Sequence, residues 1–149
     1  MPNTRIFLLS LAIAAALAGI LILSVSTLSQ QIYNARTCNW ANIDNIEMHA
    51  GIDIPLVEEC ECEYDELFNS KRASFTLSKK VDVSQYVNAN GLTPIQGELP
   101  QNILAFAKKQ FNTGQTLFVR EGTRDGEERY EVLFDPSTRK LWVYLKYLN

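Results

Sequence analysis

Lys140–Tyr147 reads KLWVYLKY, and the fold turns on this stretch. Leu141, Val143 and Leu145 alternate with Trp142 and Tyr144, so a strand here is apolar on both sides. Such a strand is central in its sheet or has one face under a helix. Working back from it, Asp135-Pro136-Ser137-Thr138 has the residues of a turn. Arg129–Asp135 reads as the preceding strand, Asp125-Gly126 as a hairpin turn, and Thr116–Glu121 as the strand before that. The C-terminal third is therefore expected to be a three-strand meander.

Further upstream the period changes from two to helical spacing. Pro100 suits a first helical turn, where its missing N–H costs nothing. Ile103, Leu104, Ala107 and Phe111 then share a face, Lys108 and Lys109 match the helix dipole, and Gly114 is a fitting stop, which predicts a helix over 101–112. Asp82 with Gln85 three residues on makes a capping pair for a shorter helix, with Val83, Tyr86 and Val87 on one face and Gly91 as its end. Residues 92–99 read as a connection. Earlier still, Glu59, Glu61 and Glu63 alternate with Cys60, Cys62 and Tyr64, and Ala73, Phe75 and Leu77 alternate with Ser74, Thr76 and Ser78. These are two half-buried strands, Val57–Tyr64 and Lys71–Lys79, joined as a hairpin. Residues 38–56 show little period, and the expectation there is a loose edge strand ending at Pro55. Together the elements predict an α+β domain: a mostly antiparallel sheet with one or two helices packed on it.

Ahead of this domain stands Ile6–Leu28, IFLLSLAIAAALAGILILSVSTL, 23 residues without a charge. As a helix it is roughly 34 Å long, enough for a hydrocarbon core of about 30 Å. The expected organisation is a cytoplasmic tip at 1–5 carrying Arg5, a transmembrane signal-anchor at 6–28, a polar tether or frayed helix end at 29–37, and an extracytoplasmic domain at 38–149. The alternative is a cleaved signal peptide. Its apolar region is normally shorter, but Ala16-Leu17-Ala18 and Ser24-Val25-Ser26 have the form of cleavage sites. Ala14, Ala18 and Ala15, Gly19 have helix-dimer spacing, although small residues are common in such helices.

The chain has 149 residues, is 46% hydrophobic and carries a net charge of −3. That length holds one domain beside the N-terminal segment, and the composition supports a packed core. The negative balance argues against nucleic acid as a partner. It is also unevenly spread: residues 37–71 sum to −8 and residues 72–149 to +3. Six of the nine residues from Glu58 to Glu66 are acidic. An acidic strand face can meet a basic protein or a calcium ion, though the spacing is not an EF-hand loop; its plainer role is a solvated face that deters aggregation.

Outside the cytoplasm, Cys38, Cys60 and Cys62 are expected to form one disulfide. Cys60 and Cys62 point to the same side of one strand and pair badly with each other, so Cys38 is expected to bond one of them and leave the other as a buried thiol. A zinc site from the three cysteines and His49 is the alternative, but Cys-x-Cys lacks the usual knuckle spacing. His49, the only histidine, is read as a surface or turn residue, and no nucleophile elbow accompanies it. Phe118, Tyr130, Phe134, Trp142, Tyr144 and Tyr147 form an aromatic stripe that is sheet core in its plainer reading. With Arg120, Arg124, Arg129 and Arg139 around it, part of that stripe is a candidate partner surface.

These readings assign no catalytic, cofactor or metal residues. They favour a membrane-tethered module that binds another protein, an accessory subunit of an envelope complex or an inhibitor or immunity-type protein, with Glu59, Glu61, Glu63, Arg120, Arg129, Trp142 and Tyr144 as its candidate surface. The alternatives are a small envelope hydrolase using the acidic-strand carboxylates, or a small-ligand module with a pocket beneath Phe106 and Phe111.

Overall fold

A computed structural model describes residues 2–107, 111, 114, 116–124, 126 and 128–148. The chain divides into two compact units, residues 1–34 and 35–149. The first is one helix, α1, Pro2–Tyr33. Its stretch Ile6–Tyr33 is long and apolar enough to cross a membrane, and none of it is buried within the protein. A membrane anchor and a signal sequence both have this character. Of the two expectations for residues 29–37, helix continues through the first half: Ser29–Tyr33 stay helical, and only then does the chain leave it.

The second unit is α+β. Its elements after α1 are α2 (Asn42–Ala50), β1 (Val57–Asp65), β2 (Ser70–Leu77), α3 (Val83–Ala89), β3 (Thr93–Pro94), α4 (Gln101–Phe106), β4 (Phe118–Arg124), β5 (Glu128–Asp135) and β6 (Lys140–Tyr147). All six strands lie in one sheet, in the order β1-β2-β6-β5-β4-β3, and every pairing is antiparallel. The doubly apolar β6 therefore sits inside the sheet, between β2 and β5. Both its faces are covered. Leu141, Val143 and Leu145 join Phe75, Val132, Phe134 and Ile46 in the larger core, while Trp142 packs with Ile103, Leu117 and Leu133 on the opposite face under α4.

Several expectations are corrected. Residues 42–50 form a helix where a loose edge strand was expected. The inward positions of α2 are Asn45, Ile46, His49 and Ala50, at helical spacing, and Gly51 closes it in the left-handed conformation (φ 62°). Half of that inward face is polar, which conceals the period. The helix predicted over 101–112 ends at Phe106. Phe111 lies outside it and packs its ring edge-on against Trp142, centroids 5.4 Å apart. Lys108, Lys109 and Asn112 of that expectation lie outside the described residues. The connection at 92–99 contains the two-residue strand β3, which pairs with β4. β4 itself begins at Phe118 and continues past Glu121 to Arg124. By contrast, the side chain of Asp82 accepts the Gln85 backbone N–H at 2.8 Å, as its capping spacing predicts.

Gly122 is required by packing rather than by its backbone angle. Tyr130 lies opposite it on β5, and a Cβ there would sit 2.5 Å from the phenol oxygen.

Candidate functional site: the acidic edge of the sheet

β1 is the first strand in the sheet order, so it pairs with β2 on one side only. Among the described residues no strand lies along its other side. An edge strand presents alternate backbone N–H and C=O groups outward, and proteins usually blunt such an edge with charge. On one face of β1 stand Glu59, Glu61 and Glu63, all exposed. The register sets them beside Thr76, Ser74 and Arg72 of β2. Thr76 Oγ1 donates to Glu59 at 3.2 Å, and Ser74 Oγ makes a long contact with Glu61 at 3.5 Å. Glu58 accepts the Lys79 backbone N–H at 3.3 Å. Arg72 reaches Asp65 at 4.0 Å. Glu61, Glu63, Arg72, Ser74 and Phe106 line a shallow depression of about 220 Å³. The carboxylates in it project side by side from one strand; they do not face each other across a cleft.

The other face of β1 carries the cysteines. Cys38 is bonded to Cys62, with Cα atoms 5.8 Å apart, which fits an oxidising compartment. This ties the segment leaving α1 to the edge strand. The free thiol is Cys60, and the expectation that it would be buried is corrected: it is exposed, because an edge strand has no neighbour on its outer side to cover it. Partial burial still raises its pKa, aided by Glu61 and opposed by Lys140. With Cys38 and Cys62 in a disulfide, the considered zinc set does not assemble; among the described residues no three His, Cys, Asp or Glu side chains gather for a metal.

The remaining candidate residues are spread over the sheet. Trp142 is only 3% exposed and offers no ring face to a partner. Tyr144 is half-buried and stands between Arg72 and Glu131 in one cross-strand row, with Glu63 at the β1 end of that row. Arg129 is close to Glu131, at 3.7 Å. Glu131 is buried: one carboxylate oxygen accepts from Asn102 of α4, and the other has no hydrogen-bond partner among the described residues. Arg120 lies on the opposite face from the acidic row. Its guanidinium donates to the Gly51 carbonyl at 2.7 Å and the Asn90 carbonyl at 3.0 Å, closing the C-terminal ends of α2 and α3, and it lies over the Tyr130 ring. Arg124 donates to the Met48 carbonyl, and Arg139 to the Ser78 and Val81 carbonyls. Three of the four arginines read as a rim are thus bound to backbone carbonyls.

A polar network under the sheet went unread in the sequence. His49 is buried, not at the surface, because its Nδ1 is hydrogen-bonded to the buried carboxylate of Glu128 and its ring edge meets Tyr147 at 5.2 Å. One turn earlier on α2, Asn45 Oδ1 accepts from Lys71 Nζ at 2.6 Å and from the Tyr147 hydroxyl at 3.0 Å. The only sequence signal for this network is the helical spacing of Asn45, Ile46 and His49.

Comparison with known proteins finds no matching family model, curated protein or solved structure.

Proposed function

We propose that this protein is a membrane-tethered, extracytoplasmic module that binds another protein along the acidic edge of its sheet. α1 serves as the anchor, and Arg5 ahead of the apolar run favours a cytoplasmic N-terminus by the positive-inside rule. The observation that carries the binding role is β1: nine residues long, open on its outer side, with Glu59, Glu61 and Glu63 in a row on one face. An incoming extended segment gains main-chain hydrogen bonds from the edge and specificity from the side-chain row. The row selects a strand bearing Lys or Arg. A second copy of β1 laid alongside with the same face up would set Glu against Glu, so the charge pattern favours a different chain over self-association.

The test is a photoreactive residue at position 61 of the full chain in its native membrane. The expected result is a covalent adduct with a second polypeptide that disappears when Glu59 and Glu63 are changed to Lys. Recovery of the protein alone, monodisperse in detergent and without adducts, would contradict the reading.

The depression holding Glu61, Glu63 and Arg72 keeps a hydrolytic reading in view, since carboxylates beside a cation can do general acid–base work. Loss of a measured hydrolysis in the Glu61→Gln and Glu63→Gln variants, with the fold intact, would favour that reading over the binding one.

A further inference from the structure

At the end of the sheet where β1 turns into β2, three large apolar side chains face outward. Leu67 is 85% exposed, Phe68 57% and Leu148 54%. Phe68 and Leu148 lie at the same end of the sheet. Ser70 pairs with Lys146, the Tyr147 N–H donates to the Asn69 carbonyl at 3.0 Å, and Asn69 Nδ2 donates to the Tyr147 carbonyl at 3.1 Å. Phe68 precedes Asn69 in the β1–β2 turn and Leu148 follows Tyr147, so both lie at this end of the sheet. Lys146 braces the corner, donating to the Phe68 carbonyl with its amine 5.9 Å from the Phe68 ring centre.

This is also the corner at which the domain receives the chain. The Ala35 carbonyl accepts from Lys71 Nζ at 3.3 Å. Arg36 donates to Asn69 Oδ1 at 3.2 Å and lies 4.9 Å over the Tyr147 ring. Only Asn34 separates Ala35 from Tyr33, the last residue of α1. Two peptide units reach at most about 7 Å, so covalent connection alone keeps this corner close to the end of the apolar helix.

We propose that Leu67, Phe68 and Leu148 form an interfacial foot that rests the folded domain on the bilayer surface α1 enters. This rests on the reading of α1 as an uncleaved anchor. The occupant is lipid because the bilayer surface is the one apolar boundary that the chain itself holds beside this corner. Tethering makes the contact intramolecular, so three apolar side chains suffice where a free domain would need more. Asp65 and Glu66 flank the tip, so the contact is apolar in character and does not depend on anionic lipid. Its consequence is a domain with a fixed tilt, rather than one that tumbles on its tether.

The experiment uses the full chain in phosphatidylcholine nanodiscs, in a Cys60→Ser background with the Cys38–Cys62 bond verified by intact mass. Nitroxide labels are placed singly through Leu67→Cys at the foot, Gln96→Cys on the exposed loop after β3, and Leu21→Cys within α1. Accessibility to oxygen is compared with accessibility to a nickel chelate. The expected result is an oxygen preference at positions 21 and 67, several-fold above that at position 96, with the preference at 67 lost when Phe68→Glu is added. An oxygen preference at 21 with position 67 matching 96 would overturn the foot and leave the anchor standing. A chelate preference at 21 as well would overturn the anchor, and the foot with it.

Discussion

Lys71 is fully buried, yet among the described residues its amine meets only neutral oxygens, those of Asn45 and Ala35. Burial lowers its pKa from 10.5 to about 8. In the unfolded chain the amine keeps its proton to the ordinary value, so between those two values the unfolded state binds more protons than the folded one. Stability therefore rises with pH across that window, by an amount on the order of 3 kcal/mol at most. Lys71→Met should remove this rise and leave the protein at least as stable at neutral pH, because the Tyr147 hydroxyl still donates to Asn45. Urea unfolding in detergent near pH 7 and near pH 10, in a Cys60→Ser background to keep thiol exchange out, reads both slopes. An unchanged slope in the variant would contradict this account of Lys71. The His49–Glu128 pair gives a second prediction. Glu128→Ala leaves a buried histidine without that acceptor and should cost about 3 kcal/mol, with Glu128→Gln costing less. A variant unfolding at the wild-type urea concentration would contradict it. Neither pair was legible in the sequence. Asn45 meets Lys71 across 26 residues and Tyr147 across 102, and His49 meets Glu128 across 79, separations that no local pattern reports.

Among the elements, strands were readable where one face is apolar and the other polar, as in β1 and β2, and where both are apolar, as in β6. Period two survives in each. The helix α2 was hidden because polar side chains occupy half its inward face, and their partners are supplied by other strands. The end of α4 was misplaced because Phe111 continues the helical spacing in sequence while its ring serves Trp142 from outside the helix. The acidic row was readable from its alternation, but its position at the sheet edge follows from the strand order, and the Phe106 wall of the depression comes from a distant helix. The disulfide was legible as a need, since Cys60 and Cys62 cannot bond each other well. The choice of Cys62 follows from its place against the core beside Asn42 of α2, whose side chain its sulfur touches at 3.3 Å. Thiol titration of the denatured, non-reduced chain should find one reactive thiol, lost in Cys60→Ser. Three would contradict the pairing. Cys62→Ser opens a loop closed across 24 residues and should cost about 3 kcal/mol in urea unfolding, on the chain-entropy account. A variant as stable as the parent would contradict that contribution.

At the scale of the whole molecule, an apolar helix leads into an α+β domain whose open edge strand is acidic and whose disulfide suits an oxidising compartment. The proposed function requires that the helix deliver the domain across the membrane and stay attached. The exposed thiol of Cys60 reports this directly. A membrane-impermeant maleimide is applied to intact osmotically stabilised cells stripped of any outer layer, with lysed cells as the reference and Cys60→Ser as the blank. The account predicts equal labelling of the membrane-bound protein before and after lysis. Labelling that appears only after lysis would place the domain inside the cell and contradict it.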